Sequence, residues 1–179
     1  MIMAGYQFFH VEAYGREEST KQKTQTKKNA DGTFTSKEVE KKKGGSVSSI
    51  ISEAKRDLES CHHIDSPQPP IVLMGDLDQV EAEALAWSAQ ATDAQGRKLR
   101  KDAHCLLAGV ISLPRSNEED WPKFKAEALE WLKKKYGENL RCVIEHQDES
   151  HPHIHFYAVA KNGQSFDDLH EGVDRENGK

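Results

Sequence analysis

Glu145-His146-Gln147-Asp148-Glu149-Ser150-His151-Pro152-His153-Ile154-His155 is the stretch on which the reading of this chain turns. Four of the nine histidines fall within ten residues. Along a β-strand, successive side chains point to opposite faces. In a strand over 153–160, His153, His155 and Tyr157 therefore share one face, and Ile154, Phe156 and Ala158 point to the core. A second strand over 140–146 precedes it. If 147–152 closes the pair as a hairpin, His146 comes beside His153, and three imidazoles converge on one sheet face. Three neutral imidazoles can hold a divalent cation and leave positions open for a substrate oxygen. Asp148 and Glu149 are placed to orient a ligand, act as a base or supply a further ligand. A lone histidine on a strand is usually exposed or satisfied in the core; three on one face, flanked by acids, form a metal-site pattern. His151 has the other parity and stays outside the trio. His10, His62, His63, His104 and His170 read singly as structural or exposed.

Outward from this hairpin the chain alternates strands and helices. Residues 103–113 are apolar almost throughout and predict a central strand. Asn117 caps a predicted helix with Glu118, Glu119 and Asp120 in its first turn, and Gly137 stops it. Its core stripe is Trp121, Phe124, Ala128, Trp131 or Leu132, and Tyr136. Asp78, with Glu81 three residues on, predicts the start of another helix, with Leu77, Val80, Ala84, Trp87 and Ala91 buried. Residues 66–70 read as an extended connector. Val47, Ile50, Ile51, Ala54 and Leu58 predict a helix over 48–60. Residues 6–14 predict a first strand, with Phe9, Val11 and Ala13 on one face and Tyr6, Phe8, His10, Glu12 and Tyr14 on the other. The order suits an α+β fold, a two-layer sandwich of mainly antiparallel sheet with helices on one face and the other face open for a site. One domain spans 1–170, with a basic flexible loop at about 15–45; 171–179 is a polar tail.

Composition narrows the function classes. The 179 residues are 36% hydrophobic and 31% charged, with net charge -5 and pI about 6.0. No apolar run approaches the roughly 20 residues that cross a bilayer, so this segment predicts no membrane contact. Three scattered cysteines give neither a disulfide framework nor a paired metal motif, which suits the cytoplasm. The charge is uneven: 21–43 holds eight lysines against Asp31, Glu38 and Glu40. Lys27, Lys28, Lys41, Lys42 and Lys43 there, and the cluster Arg97, Lys98, Arg100 and Lys101, are the candidate phosphate contacts, although a charge run is as often a solvated face.

The pattern His-x-Asp-Glu-x-x-Pro-His-x-His, filled by His146, Asp148, Glu149, Pro152, His153 and His155, resembles the metal motif of plasmid mobilisation relaxases of the Mob/Pre (MobV) type, in the HUH endonuclease superfamily. The order upstream is also similar: Arg100-Lys101-Asp102-Ala103 leading into a strand, an aromatic-rich helix, then Tyr136-Gly137. The likeness covers about 97–167.

The resemblance implies a relaxase. Such an enzyme binds single-stranded and plasmid DNA at an origin of transfer and cuts one strand. A Tyr or His nucleophile stays joined to the 5′ phosphate. His146, His153 and His155 would be ligands to Mn2+ or Mg2+, although three histidines alone equally allow Zn2+. Glu149 would orient a ligand or move a proton. A homodimer would form through a C-terminal region beyond this segment. One feature departs from the family: its early HxxR motif, which carries the nucleophilic histidine, has no counterpart. The comparable stretch 44–49, followed by Glu53 to Arg56, holds no His or Tyr. Tyr14, with Arg16 nearby for the phosphate, and His63 are the leading candidates. The competing readings are a metal- and DNA-binding module that does not cut, an HUH replication initiator or transposase, and a small metal-dependent hydrolase.

Overall fold

The computed structural model describes residues 8–18, 20–29, 31–43, 45–114 and 119–170, with the backbone alone described for 20–27 and 36–43. Its centre is a five-stranded sheet in the order β1-β5-β7-β6-β4, antiparallel at every pairing. The strands are β1 (Phe8–Gly15), β4 (Ile71–Gly75), β5 (His104–Ser112), β6 (Leu140–His146) and β7 (His153–Ala158). Between them run helices α1 (Val47–Ala54), α2 (Leu77–Gln90) and α3 (Trp121–Tyr136). The α+β architecture and antiparallel sheet agree with the sequence reading, as does the β6–β7 hairpin.

Register explains why the site lies where it does. Phe8 pairs with Ser112, Ser112 with His153, and His153 with His146. One row across four strands therefore carries two of the histidines. The next row along that face joins His10, Val110, His155 and Ile144. The opposite face is packed by α3: the Tyr136 and Phe156 rings lie 5.3 Å apart, and Trp121 Nε1 donates to Glu145 Oε1 at 2.7 Å. Helices on one face only were expected. α1 instead borders the histidine face, where the Ala54 carbonyl contacts His146. Its apolar stripe of Val47, Ile51 and Ala54 is buried there, which closes part of a face predicted to be open.

Several elements differ from expectation, each for a local reason. The basic segment at 15–45 is not a loop: β2 (Thr20–Lys28) and β3 (Phe34–Lys43) form a separate antiparallel ribbon. Its turn has Gly32 at φ 85° and Asp31 accepting from the Thr33 amide, the Asp-Gly hairpin chemistry that the polar composition obscured. β4 is an edge strand directly after Pro70; Ile71 and Val72 are exposed there, so the run resembled connector. α1 ends at Ala54, and Leu58 is exposed. α2 is capped by Asp76, whose side chain accepts from the Asp78 amide. α3 is preceded by Asp120, and Pro122 falls in its first turn. Asn117 and Glu118 lie outside the described residues, as do Tyr6 and the tail 171–179. The chain remains packed to Leu169, with Phe166 and Leu169 buried. All three cysteines are free and buried. Among the described residues no helix is long and apolar enough to cross a membrane.

Gly109 on β5 lets the Phe156 ring of β7 lie against the sheet. A Cβ built there would stand 2.3 Å from two ring carbons. Gly109→Ala is expected to destabilise the fold by about 1–3 kcal/mol through overpacking. Urea unfolding checks this, and an unchanged midpoint would contradict it.

Candidate metal centre

His146 closes β6, while His153 opens β7 and His155 follows it on the same face. One ligand atom from each lies within 4.8 Å of the others, and the ring centroids are 4.9–5.4 Å apart. The three side chains predicted to converge do converge.

Hydrogen bonding fixes how two of them present their lone pairs. The Ala54 carbonyl lies 2.9 Å from His146 Nε2. A carbonyl only accepts, so Nε2 carries the proton and Nδ1 is left as an acceptor. That Nδ1 is buried and has no partner among the described residues. His153 donates through Nδ1 to the His151 carbonyl at 3.2 Å, leaving its Nε2 lone pair exposed to the site. Glu149 Oε1 stands 3.6 Å from that Nε2. Two acceptors facing each other are satisfied by a cation between them. Burial lowers His146 to about 4, with the Ala54 bond opposing and Arg56 and His153 contributing. Burial, then His153 and His146, hold His155 well below the usual imidazole range. At neutral pH these two are unprotonated bases, the form that binds metal. The donor set therefore fits a divalent cation.

Arg56 organises the acidic side of the site. Its Nε and Nη2 donate to Asp148 at 3.0 and 2.8 Å, and Nη2 reaches Glu149 at 2.7 Å. Asp148 also accepts from the Gln68 amide at 3.0 Å. Burial opposes ionisation of Asp148, but the Arg56 and Gln68 bonds outweigh it and hold the carboxyl below its usual range. Arg56 has φ 65°, in the left-handed region. It follows the α1 cap at the position usually taken by glycine, with its amide bonded to the Glu53 carbonyl and the Asp57 amide to the Ser52 carbonyl. A non-glycine residue there costs on the order of 1–2 kcal/mol.

The histidines floor an open cleft of about 270 Å³, also lined by Phe8, Ile50, Glu53, Arg56, Tyr157 and His63. Of the two candidate nucleophiles, His63 reaches this cleft. Tyr14 does not line it; its hydroxyl donates to Glu12 Oε2 at 2.7 Å, and burial followed by Glu12 raises its pKa. Arg16 is also elsewhere, donating to the Leu99 carbonyl at 2.9 Å. His151 lines the cleft but is not in the converging group. Glu53 and the Arg56 clasp escaped the sequence reading as site residues, whereas Tyr157, expected on the histidine face, lines the cleft, its hydroxyl without a hydrogen bond among the described residues. A carboxylate and an arginine three positions apart at a helix end were the available signal.

The predicted phosphate contacts are dispersed. Lys27, Lys28, Lys41, Lys42 and Lys43 lie on the β2–β3 ribbon, where Lys28 is exposed with its Nζ 6.0 Å from the Phe34 ring centroid. Arg97 is paired with Asp93, Arg100 with Asp102 and Lys101 with Glu17; Lys98 has no ion pair among the described residues. That cluster precedes β5, whose far end carries Ser112 at the cleft. The nine residues between span about 25–30 Å.

The model of the Mob/Pre family, plasmid recombination enzymes, matches residues 34–169. The chain belongs to this family. Two solved structures of the MobM relaxase domain have a similar fold. One is bound to 26-nucleotide pMV158 oriT DNA, with 18% identity, 96% of this chain and 78% of that chain covered, and TM-score 0.54. The other is Mn-bound and carries a 22-nucleotide oriT DNA with a 3′-thiophosphate; it has 19% identity, the same coverage and TM-score 0.58. At these identities the likeness shows the fold. No curated protein matches. The Mob/Pre match takes in α1, the acidic clasp and all three histidines.

Arg56→Ala is expected to cost about 3–5 kcal/mol, because it strands the Asp148 carboxylate, only 1% exposed, without its cation. Arg56→Lys should recover part of this and not the bidentate geometry. Urea unfolding of the two variants checks the ranking; equal stability with the parent would remove the clasp from the account.

Proposed function

We propose that this Mob/Pre chain nicks and rejoins one DNA strand at a plasmid origin of transfer, through a protein joined covalently to the 5′ phosphate. The observation that carries the reading is the convergence of three imidazoles, two with lone pairs turned inward, at the floor of an open cleft. His146, His153 and His155 would hold the cation, manganese or magnesium by family; zinc is the other ion the donor set accepts. When bound, that ion supplies a Lewis acid for the scissile phosphate. The chain's own groups do the rest. Ala54 and the His151 carbonyl set the two imidazole tautomers. Arg56 holds Asp148 and Glu149 against the site, and Glu149 is close enough to His153 to orient it or pass a proton. Phe8, exposed at the cleft wall, offers a flat apolar surface on which an unstacked base can lie.

Single-stranded origin DNA is the partner that this cleft suits, in the cytoplasm where plasmid DNA resides. The lysines of the β2–β3 ribbon are the better candidates for backbone contact, since acids neutralise three of the four in the 97–101 cluster. His63 is the candidate nucleophile within the cleft. Tyr14 and Arg16 would have to move to reach a phosphate there.

The test uses supercoiled plasmid carrying DNA from upstream of the chain's own gene. Manganese-dependent conversion to open circles, stopped by EDTA, is the expected result. Salt-sensitive binding of single-stranded DNA without nicking would identify a module that binds and does not cut.

His153→Ala and His155→Ala are each expected to abolish manganese uptake while keeping a cooperative unfolding transition. Metal analysis after desalting decides; parental metal content in both variants would refute the ligand assignment.

A further inference from the structure

The chain contains no HxxR motif, so a group able to attack phosphorus has to come from another part of the cleft. Glu149 is tied to Arg56. His151 Nδ1 is occupied by the Ser150 hydroxyl at 2.9 Å. The Tyr157 hydroxyl is fully buried. Ser112 lines the cleft but is buried, which leaves two accessible groups among the described residues: exposed His63, on the segment after α1, and half-buried Glu53, on the last turn of α1.

Glu53 stands out for its lack of commitments. Its carboxylate takes no hydrogen bond or ion pair among the described residues, although Arg56 lies three positions on. The guanidinium there is taken up by Asp148 and Glu149. The clasp thus commits Arg56 to two other acids. Ala54, the next residue, fixes His146 through its carbonyl, so the backbone that carries Glu53 is anchored to the histidine group. The charge of Glu53 also opposes ionisation of the Tyr14 and Tyr157 hydroxyls. The histidines on the strands and Glu53 on α1 line the same cleft of about 270 Å³.

We infer that Glu53 is the nucleophile of the strand-transfer step, an inference that rests on the nicking reading above. A carboxylate oxygen of Glu53 forms a bond to the scissile phosphorus, and the bond from phosphorus to the 3′ oxygen breaks. The electron pair leaves on that oxygen, which takes a proton from solvent and becomes a 3′ hydroxyl. The product is a mixed anhydride of the glutamyl carboxyl and the 5′ phosphate. Rejoining is the reverse: a 3′ hydroxyl loses its proton, attacks phosphorus and releases the carboxylate. An acyl phosphate retains the energy of the broken diester, so no other energy source is required.

The linkage has a chemical signature. Acyl phosphates are cleaved by neutral hydroxylamine, and borohydride reduces the acyl carbon to an alcohol. Phosphotyrosine resists both reagents, and phosphohistidine, although hydroxylamine cleaves it, has no acyl carbon for borohydride to reduce.

The experiment incubates the chain with manganese and single-stranded oligonucleotides tiling the region upstream of its own gene, and promptly resolves products on a denaturing gel near neutral pH. The expected result is a covalent adduct that hydroxylamine releases, with borohydride marking the peptide that contains Glu53. Glu53→Gln should lower adduct formation by on the order of a thousandfold or more while retaining manganese uptake and the unfolding transition. Glu53→Asp, which keeps a carboxylate, should restore part of it. An adduct on His63 or Tyr14 that borohydride does not reduce and that persists in Glu53→Gln overturns the inference and leaves covalent nicking intact. Manganese-dependent cleavage with no adduct overturns the glutamyl step and the covalent part of the proposed function. Absence of cleavage and adduct together overturns both the inference and the nicking reading.

Discussion

The bidentate contact of Arg56 with Asp148, extended to Glu149, is the interaction on which the site depends. It joins the end of α1 to the loop between β6 and β7, elements 92 and 93 residues apart in the chain. The ends of that loop are His146 and His153. Without the clasp, the buried Asp148 carboxylate would have little solvent to screen it, and the Ala54 carbonyl would lose its fixed place against His146. The position is held against backbone preference, because Arg56 occupies a left-handed conformation that glycine adopts at little cost. Three charge-assisted hydrogen bonds offset that strain.

The same clasp divides the labour among the acids. Asp148 is fully used in structure, satisfied by Arg56 and the Gln68 amide. Glu149 is shared between Arg56 and the edge of the histidine group. Glu145, one residue before His146 but on the opposite face, is held by Trp121, Lys125 and Gln147. Burial pushes its carboxyl up, but these three donors outweigh burial and keep it below its usual range. It fastens the strand from behind, on the α3 side. These acids thus have distinct roles, and beside them Glu53 has no hydrogen bond or ion pair from its carboxylate among the described residues.

The hairpin and its histidines were legible because period-two alternation is a strong signal over a long apolar strand: Ile154 and Phe156 can only face inward, which obliges His153 and His155 to face out. The α2 and α3 stripes were legible for the same reason at helical spacing, with Val80, Ala84, Trp87, Ala128 and Leu132 buried as their spacing implied. What escaped depended on polar residues. β2 and β3 have almost no apolar side chains, so their pairing left no hydrophobic trace. β4 was hidden by the prolines before it and by its place at the sheet edge. Arg56 could not be read as the keystone, since nothing local predicts a left-handed arginine or its partners 92 residues on. Tyr14 was chosen by its position on a strand face and Arg16 as its neighbour; the register puts Tyr14 at the other end of β1 from Phe8, and neither residue lines the cleft.

The β2–β3 ribbon has a consequence for how such chains can diverge. The five-stranded sheet is complete without it, and among the named strands β2 and β3 pair only with each other. Lengthening, shortening or replacing the ribbon leaves every register of the central sheet unchanged. Loop-closure entropy grows only slowly with length, so such changes carry little thermodynamic penalty. The segment richest in positive charge is therefore also the one most open to change in size and composition. Related chains could retarget their nucleic-acid contacts there while the histidine cleft is inherited intact.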